Sequence, residues 1–230
     1  MEFDYNSEFF RGAMMGPNAV RILAELGATL RLEPGSRVLD LGCGMGLTSM
    51  YLAQTFDVQV FATDLWISAT DNFERFRACG LGEKVVPIHA DAVALPYADG
   101  FFDAVVSVDS YHYFGAGEGF LDAHIAPLVK EGGTLAIAVP GLRHELETVP
   151  EEMEPFWTGD MNFHDCAWWK SLWQKSNMVK DVRSFSLESH AAAWADWLAC
   201  DEPHAKHDVE MMRIENGNYF ATVGITARKK

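Results

Sequence analysis

The chain has few basic residues, scattered cysteines and no long apolar run. Lys and Arg total 18 against 33 Asp and Glu, giving a formal net charge of -15. Such a charge repels the phosphate backbone of nucleic acids. No apolar stretch reaches the ~18 residues of a membrane span, and the acidic, aromatic N-terminus is not typical of a signal peptide. We therefore expect a cytoplasmic protein with no nucleic-acid partner and no membrane insertion.

The four cysteines are single residues rather than pairs, so neither a disulfide framework nor a zinc site is indicated. They are Cys43, Cys79, Cys166 and Cys200. His204 and His207 have helical spacing, but no thiolate or glutamate pair accompanies them. A metal site needs a complete set of ligands, and we expect none here.

Helical and strand patterns alternate along the chain, which predicts βαβ units and one mostly parallel sheet within a single domain spanning residues 1–230. The predicted strands are 36–41, 58–63, 85–89, 102–108, 134–139, 179–187 and 219–227. The predicted helices are 13–31, 45–55, 67–79, 119–129, 166–175, 191–198 and about 204–213. Residues 141–163 are rich in acidic residues and proline, and we predict that they form a long irregular segment, which we call the excursion.

The strongest local signal is VLDLGCGMG at residues 38–46, where a buried strand enters a glycine-rich turn that opens a helix. Glycines allow a tight turn and a close approach to a ligand. Leu47 stands where a dinucleotide fingerprint needs its third glycine. Asp40, two residues before Gly42, opposes a pyrophosphate and favours a cationic group. The turn therefore indicates a ligand that is cationic at this end.

Two further acidic residues follow predicted strands. Asp64, at the end of the second strand, can accept hydrogen bonds from ribose hydroxyls, although it could instead cap a helix. Leu65 and Trp66 follow it and could pack on a purine face. Asp91, just past the third strand, could accept from an adenine amino group with the Ala92 N–H donating to the ring, or could be a turn residue.

The order of VLDLGCGMG, ATDLW, HADAVALPYADGFFDAVVS and VKEGGTLAIAVPG resembles class I S-adenosylmethionine-dependent methyltransferases. It is most similar to the small-molecule branch that includes the ubiquinone and menaquinone C-methyltransferases. The resemblance covers roughly residues 13–140. It implies a Rossmann-like α/β fold, with a seven-stranded, mostly parallel sheet, an antiparallel last strand and helices on both faces.

The resemblance also implies the cofactor, S-adenosylmethionine, and the residues that bind it. Asp40, the glycine turn and Asp109 would take the methionine end, Asp64 the ribose, and Asp91 with Ala92 the adenine. The cofactor set is Asp40, Gly42, Cys43, Gly44, Asp64, Leu65, Asp91, Ala92 and Asp109. The family accepts any small residue at Cys43, so no chemistry is assigned to this thiol.

Fewer signals in the sequence point to the residues that would contact the methyl acceptor. The fourth strand ends in DSYHYF at residues 109–114, where open α/β sheets bind ligands. His112 is the candidate general base, needed only if the acceptor must lose a proton. The rings of Tyr111 and Tyr113 could face a cation, or the stretch could only pack. Tyr5, in the N-terminal segment, and Trp157, in the excursion, are further candidates for substrate contact.

We therefore predict methyl transfer to a small-molecule acceptor that is neutral or cationic. Residues 1–31, 141–163 and 188–216 are expected to cover the acceptor pocket. The alternatives are a methyltransferase acting on protein or RNA, and a non-catalytic S-adenosylmethionine-binding protein. Oligomeric state, and whether carbon, nitrogen, oxygen or sulfur is methylated, do not follow from the sequence.

Overall fold

A computed structural model describes residues 4–159 and 161–230. Its strands are β1 (Arg37–Leu41), β2 (Gln59–Asp64), β3 (Val85–His89), β4 (Phe102–Val108), β5 (Val129–Leu142), β6 (Val179–Ser186) and β7 (Phe220–Lys229). Its α-helices are α1 (Glu8–Gly12), α2 (Ala19–Gly27), α3 (Leu47–Thr55), α4 (Ala69–Ala78), α5 (Cys166–Gln174), α6 (His190–Leu198) and α7 (Pro203–Glu215). No described helix is both long and apolar enough to cross a membrane.

All seven strands form one sheet in the order β3-β2-β1-β4-β5-β7-β6. Strands β1 to β5 pair in parallel, whereas β7 is antiparallel to both β5 and β6. The predicted fold, with its antiparallel last strand, is confirmed. Because β1 lies between β2 and β4, the chain segments that leave the carboxyl ends of these three strands are neighbours in space.

The predicted helix over residues 13–31 begins six residues too early. Helix α2 starts at Ala19, because the buried side chain of Asn18 accepts hydrogen bonds from the N–H groups of Val20 and Arg21 and caps the helix. Gly16 and Pro17 precede this cap. Residues 13–17 therefore form a non-helical segment before α2.

The crossover between β4 and β5 also differs from the prediction of a helix over 119–129. It consists of a π-helical turn at Leu121–Ile125 and a 3-10 turn at Ala126–Leu128, which contains Pro127. Strand β5 starts earlier than predicted, since Val129 already pairs with Phe102. The next registered pair joins Ala104 to Thr134, so the Gly132-Gly133 stretch forms a bulge within the strand.

Alternating side chains of the central strands build a hydrophobic cluster on each face of the sheet. Val38 belongs to the cluster formed with α2 and α3, and Leu39 to the one formed with α5. A third cluster, formed by Leu142, Met153, Met211 and Phe220, lies under the excursion. The excursion is therefore anchored by a fully buried methionine, Met153.

Helix α6 is tied to the start of α2 by a part-buried polar network. The Asn18 side-chain amide donates to Asp196 Oδ2 over 2.6 Å, and the Arg21 guanidinium pairs with the same carboxylate. The Asn18 backbone N–H donates to the carbonyl of Ala193 over 3.0 Å. Residues 188–216 thus pack behind the N-terminal segment.

Candidate active site

A cavity of about 300 Å³ opens at the carboxyl ends of β1, β2, β3 and β4. Its walls come from residues 13–17 and 19, 41–45, 47–48, 63–66, 90–92, 108–110 and 113–114. Ligands of open α/β sheets bind at this edge, where the strand order reverses on either side of β1. The described lining includes three carboxylates, from Asp64, Asp91 and Asp109, and no Lys, Arg or His side chain.

The glycine turn after β1 forms the floor of this cavity. Gly42 has φ +72°, and a Cβ there would lie 2.1 Å from Ser110 Oγ. Gly44 has φ +53°, and a Cβ there would lie 2.9 Å from Met15 Sδ. Both positions need the left-handed backbone and the close approach that glycine provides. The prediction of a tight turn that needs glycine agrees with this geometry, and its role in binding a ligand stays a prediction.

Asp40 lies beneath the cavity rather than on its wall. Its side chain is fully buried, and Oδ2 accepts hydrogen bonds of 2.6 Å from both Thr48 Oγ1 and Ser49 Oγ. Oδ1 has no hydrogen-bond partner in the described residues. Burial raises the pKa of Asp40 to about 6, against the lowering effect of the two hydroxyls. Thr48 lines the cavity, so Asp40 can act on a ligand there in two ways. It orients the Thr48 hydroxyl, and it places a carboxyl group below the cavity wall.

Asp64 joins the glycine turn to the start of the next segment. Its Oδ2 accepts from the Gly44 N–H over 2.8 Å, while Oδ1 accepts from the N–H groups of Trp66 and Ile67. A carboxylate has about four acceptor positions, so one remains on Oδ2 for a ligand hydroxyl. Ser68, not Asp64, is the side-chain cap of α4. Asp64 thus shapes the turn and also lines the cavity.

The expected adenine-binding residues lie on the same side of the cavity. Asp91 is exposed and accepts from the Val93 N–H over 3.1 Å, whereas Ala92 is buried. Leu65 is 49% exposed and also lines the cavity. The structure therefore brings the predicted residues after β2 and β3 to one wall.

Asp109 directly follows β4 and adopts the left-handed conformation, with φ +58°. Its backbone N–H donates to Ala138 of β5 over 2.8 Å, and its carboxylate lies against Gly16 of the N-terminal segment. Burial, with a smaller effect from the charge of Asp208 on α7, raises the pKa of Asp109 to about 7. A cation entering the cavity would favour the ionised carboxylate.

Tyr111, His112 and Tyr113, which follow β4 by two residues, point their side chains in different directions. Residues 111–113 form one turn of 3-10 helix, which places successive side chains about a third of a turn apart. Tyr111 is fully buried beside Trp169 and Trp173 and does not line the cavity, which corrects the expectation that it faces the substrate. Buried His112 packs against Tyr113, with ring centroids 4.0 Å apart and planes inclined at 38°, and is also absent from the described wall. Only Tyr113 reaches the cavity.

Tyr5 and Trp157, the other two predicted substrate contacts, pack elsewhere. The Tyr5 ring contacts Phe10 and lies under the Arg21 guanidinium at 4.6 Å. Trp157 packs on Phe163 and Phe220 in the third cluster. No described residue of 141–163 or 188–216 lines the cavity. Of the N-terminal residues expected to cover the pocket, 13–17 and 19 line the cavity, in a segment that was predicted to be helical.

Three contributors to the site were missed from the sequence. Met15 covers Gly44, Ser110 Oγ donates to the Leu41 carbonyl over 3.0 Å, and Asn72 Nδ2 donates to the Gly44 carbonyl over 2.9 Å. Asn72 is a buried amide on α4, a polar residue at a helical core position. That pattern is the one signal that could have identified it.

Comparison with known proteins agrees with this geometry. Residues 38–133 match the model of a methyltransferase domain family. The 27-O-demethylrifamycin SV methyltransferase of Amycolatopsis mediterranei is 31% identical over 139 residues, covering 57% of this chain and 51% of that protein. The chain spans between 16% and about half of the length of the first curated relatives it matches.

Solved structures extend the likeness across the described fold. Phosphoethanolamine N-methyltransferase 2 of Haemonchus contortus, in complex with S-adenosyl-L-methionine, matches with TM-score 0.76 and 18% identity over 98% of this chain and 58% of its own. The [4+2]-cyclase SpnF matches with TM-score 0.71 and 19% identity over 99% of this chain and 85% of its own. The predicted resemblance to class I methyltransferases is confirmed at the level of the fold. The cyclase shows that this fold alone does not fix a reaction.

Proposed function

We propose that this protein, which carries a methyltransferase domain at residues 38–133, transfers the methyl group of S-adenosylmethionine to a small-molecule acceptor. The observation that carries the proposal is the composition of the cavity at the ends of β1 to β4. Its described wall has three carboxylates and no basic side chain above a glycine turn. A ligand with an ammonium and a sulfonium group suits this wall, whereas a pyrophosphate would find no cationic partner.

Each wall residue has a role that its contacts allow. Asp64 keeps one acceptor position on Oδ2 for a ribose hydroxyl, and Asp109 can pair with the methionine ammonium. Asp91 and the Ala92 N–H serve the adenine edge. Buried Asp40 adds negative charge below the methionine end and orients Thr48. Bound S-adenosylmethionine supplies the reactive methyl group on a cationic sulfur.

The remaining work of the protein is alignment and exclusion of water, because the methyl carbon is already activated by sulfonium. The segment 13–17 forms one side of the cavity and can supply this cover. His112 is separated from the cavity by Tyr113, so a histidine base would require this ring to move. An acceptor that attacks without losing a proton needs no such movement.

The acidic wall and the net charge of -15 favour a neutral or cationic acceptor and disfavour RNA. The four cysteines are free thiols, which suits a reducing compartment such as the cytoplasm. Within the described residues there is no group of three His, Cys, Asp or Glu placed to hold a metal ion.

The experiment is transfer of a labelled methyl group from S-adenosylmethionine into a mixture of small metabolites. Calorimetric titrations with S-adenosylmethionine and NAD establish the cofactor class alongside it. We expect labelled product and binding of S-adenosylmethionine but not NAD. Binding of NAD with no response to S-adenosylmethionine would overturn the proposal.

A further inference from the structure

Four large apolar side chains on the cavity wall remain about half exposed or more. Met15 is 46% exposed, Leu65 49%, Trp66 66% and Tyr113 49%. We refer to these four residues as the aromatic rim. Exposed apolar groups that gather around one cavity are typical of a ligand-binding surface. Residues elsewhere in the described cavity wall are mostly buried or small, so the rim is where a second molecule would contact apolar surface.

The rim residues come from three segments that surround the glycine turn. Trp66 follows β2 and Tyr113 follows β4, and their ring centroids are 5.4 Å apart with planes inclined at 59°. Since β1 lies between these strands, the ring pair spans the turn that leaves β1. Met15 approaches the same turn from the N-terminal segment, at Gly44. The two rings and the thioether therefore lie on the cavity wall around the glycine turn.

The charge of the cavity restricts what the rim can accept. Its described wall presents Asp64, Asp91 and Asp109 without a basic side chain. A phosphate or carboxylate placed there would be repelled and would lose hydration without gaining a charge-assisted hydrogen bond. An uncharged ring would instead gain stacking contacts with Trp66 and Tyr113.

We propose that the aromatic rim is the acceptor subsite, and that it selects an acceptor with a flat apolar body and no anionic group. This inference rests on the proposed function and assigns both Leu65 and Trp66 to the acceptor rather than to the purine of the cofactor. Trp66 and Tyr113 are specificity-determining residues in this assignment. They hold the flat body of the acceptor over the turn, while the carboxylates hold the cofactor.

The test uses full-length protein saturated with S-adenosylhomocysteine, titrated calorimetrically with 2-naphthol and with 2-naphthyl phosphate. These probes share one ring system and differ in the anionic group. We expect 2-naphthol to bind at least about tenfold more tightly than the phosphate, and Trp66→Ala to weaken 2-naphthol binding about tenfold. Trp66→Phe should restore most of the affinity.

Two controls separate a rim effect from other effects. Phe73→Ala removes a similarly exposed ring on α4 that does not line the cavity and should leave 2-naphthol binding unchanged. The affinity of Trp66→Ala for S-adenosylhomocysteine should stay within about twofold of the unsubstituted protein, since an acceptor-side ring makes no contribution to the cofactor.

Equal or tighter binding of the phosphate, or no binding of 2-naphthol, would overturn the inference. So would a loss of S-adenosylhomocysteine affinity in Trp66→Ala, because that result would place this ring on the purine. Failure of the unsubstituted protein to bind S-adenosylhomocysteine would instead count against the proposed function. The outcomes therefore distinguish the two proposals.

Discussion

Asp109 offers a test in which ligand-free stability and ligand affinity move in opposite directions. Its pKa is raised from 3.8 to about 7, so ionisation in the folded protein is unfavourable. A rise of about three in pKa corresponds to a destabilisation of the folded protein by about 4 kcal/mol at most. Because water reaches the cavity wall, we expect a destabilisation of about 1–2 kcal/mol. Asp109→Asn should therefore raise the melting temperature of the ligand-free protein at pH 8 by about 2–8 °C.

The substitution suits this position because asparagine tolerates the left-handed conformation that Asp109 adopts at φ +58°. The sign follows from linkage. Well below pH 3.8 the carboxyl is protonated in both the folded and the unfolded state, so the two proteins should differ little in stability. Between pH 4 and 7 the unfolded chain ionises first, and the stability of the unsubstituted protein falls relative to the variant. The full difference is reached above pH 7.

The same variant should bind S-adenosylmethionine about 10- to 100-fold more weakly at pH 8, since it loses a hydrogen bond between two charged groups worth about 1.5–3 kcal/mol. Affinity of the unsubstituted protein should fall as pH drops from 8 to 6 and Asp109 takes up a proton. Scanning calorimetry and titration calorimetry measure the two effects. Asp99→Asn removes the same charge at an exposed site and serves as the matched control. Unchanged melting temperature together with unchanged affinity would refute the reasoning.

Two further substitutions test the floor of the cavity. Asp64→Asn places an amide where the Gly44 N–H needs an acceptor. Titration with S-adenosylmethionine should therefore show at least about tenfold weaker binding. Unchanged affinity would remove Asp64 from the site. Gly42→Ala should lower the free energy of unfolding in urea by about 2–4 kcal/mol, because the left-handed conformation and the clash with Ser110 both oppose a Cβ. Gly35→Ala shares the positive φ without any clash, so an equal loss in both variants would contradict the role of Ser110.

The sheet and the position of Asp64 and Asp91 at its edge could be predicted because their signals are local and repeated. Strand β1, the glycine turn and the acidic residues Asp64 and Asp91 follow one another at fixed places in successive βαβ units. The carboxyl ends of parallel strands must then meet at one edge. The burial of Asp40 below that edge could not be predicted, because it depends on how Thr48 and Ser49 of α3 pack against β1.

The positions of the candidate acceptor-contact residues were harder to predict because short, irregular turns decide them. The 3-10 turn at Tyr111–Tyr113 separates side chains that look equivalent in sequence. Apolar residues at helical spacing hid the non-helical segment 13–17, although Pro17 and Asn18 mark its end. Trp157 and the excursion are held by the third cluster, a long-range contact that local patterns do not report.

Transfer of a labelled methyl group tests the central claim most directly. Protein is incubated with methyl-labelled S-adenosylmethionine and paired acceptors that differ only in an anionic group, with Asp109→Asn run in parallel. The account predicts labelled product from the uncharged partner of each pair and a reduced rate in the variant at limiting S-adenosylmethionine. Cofactor binding without methyl transfer to any acceptor would contradict the proposed function and favour a non-catalytic or cyclase-like use of the fold. Preferential labelling of the anionic partners would contradict the acceptor assignment.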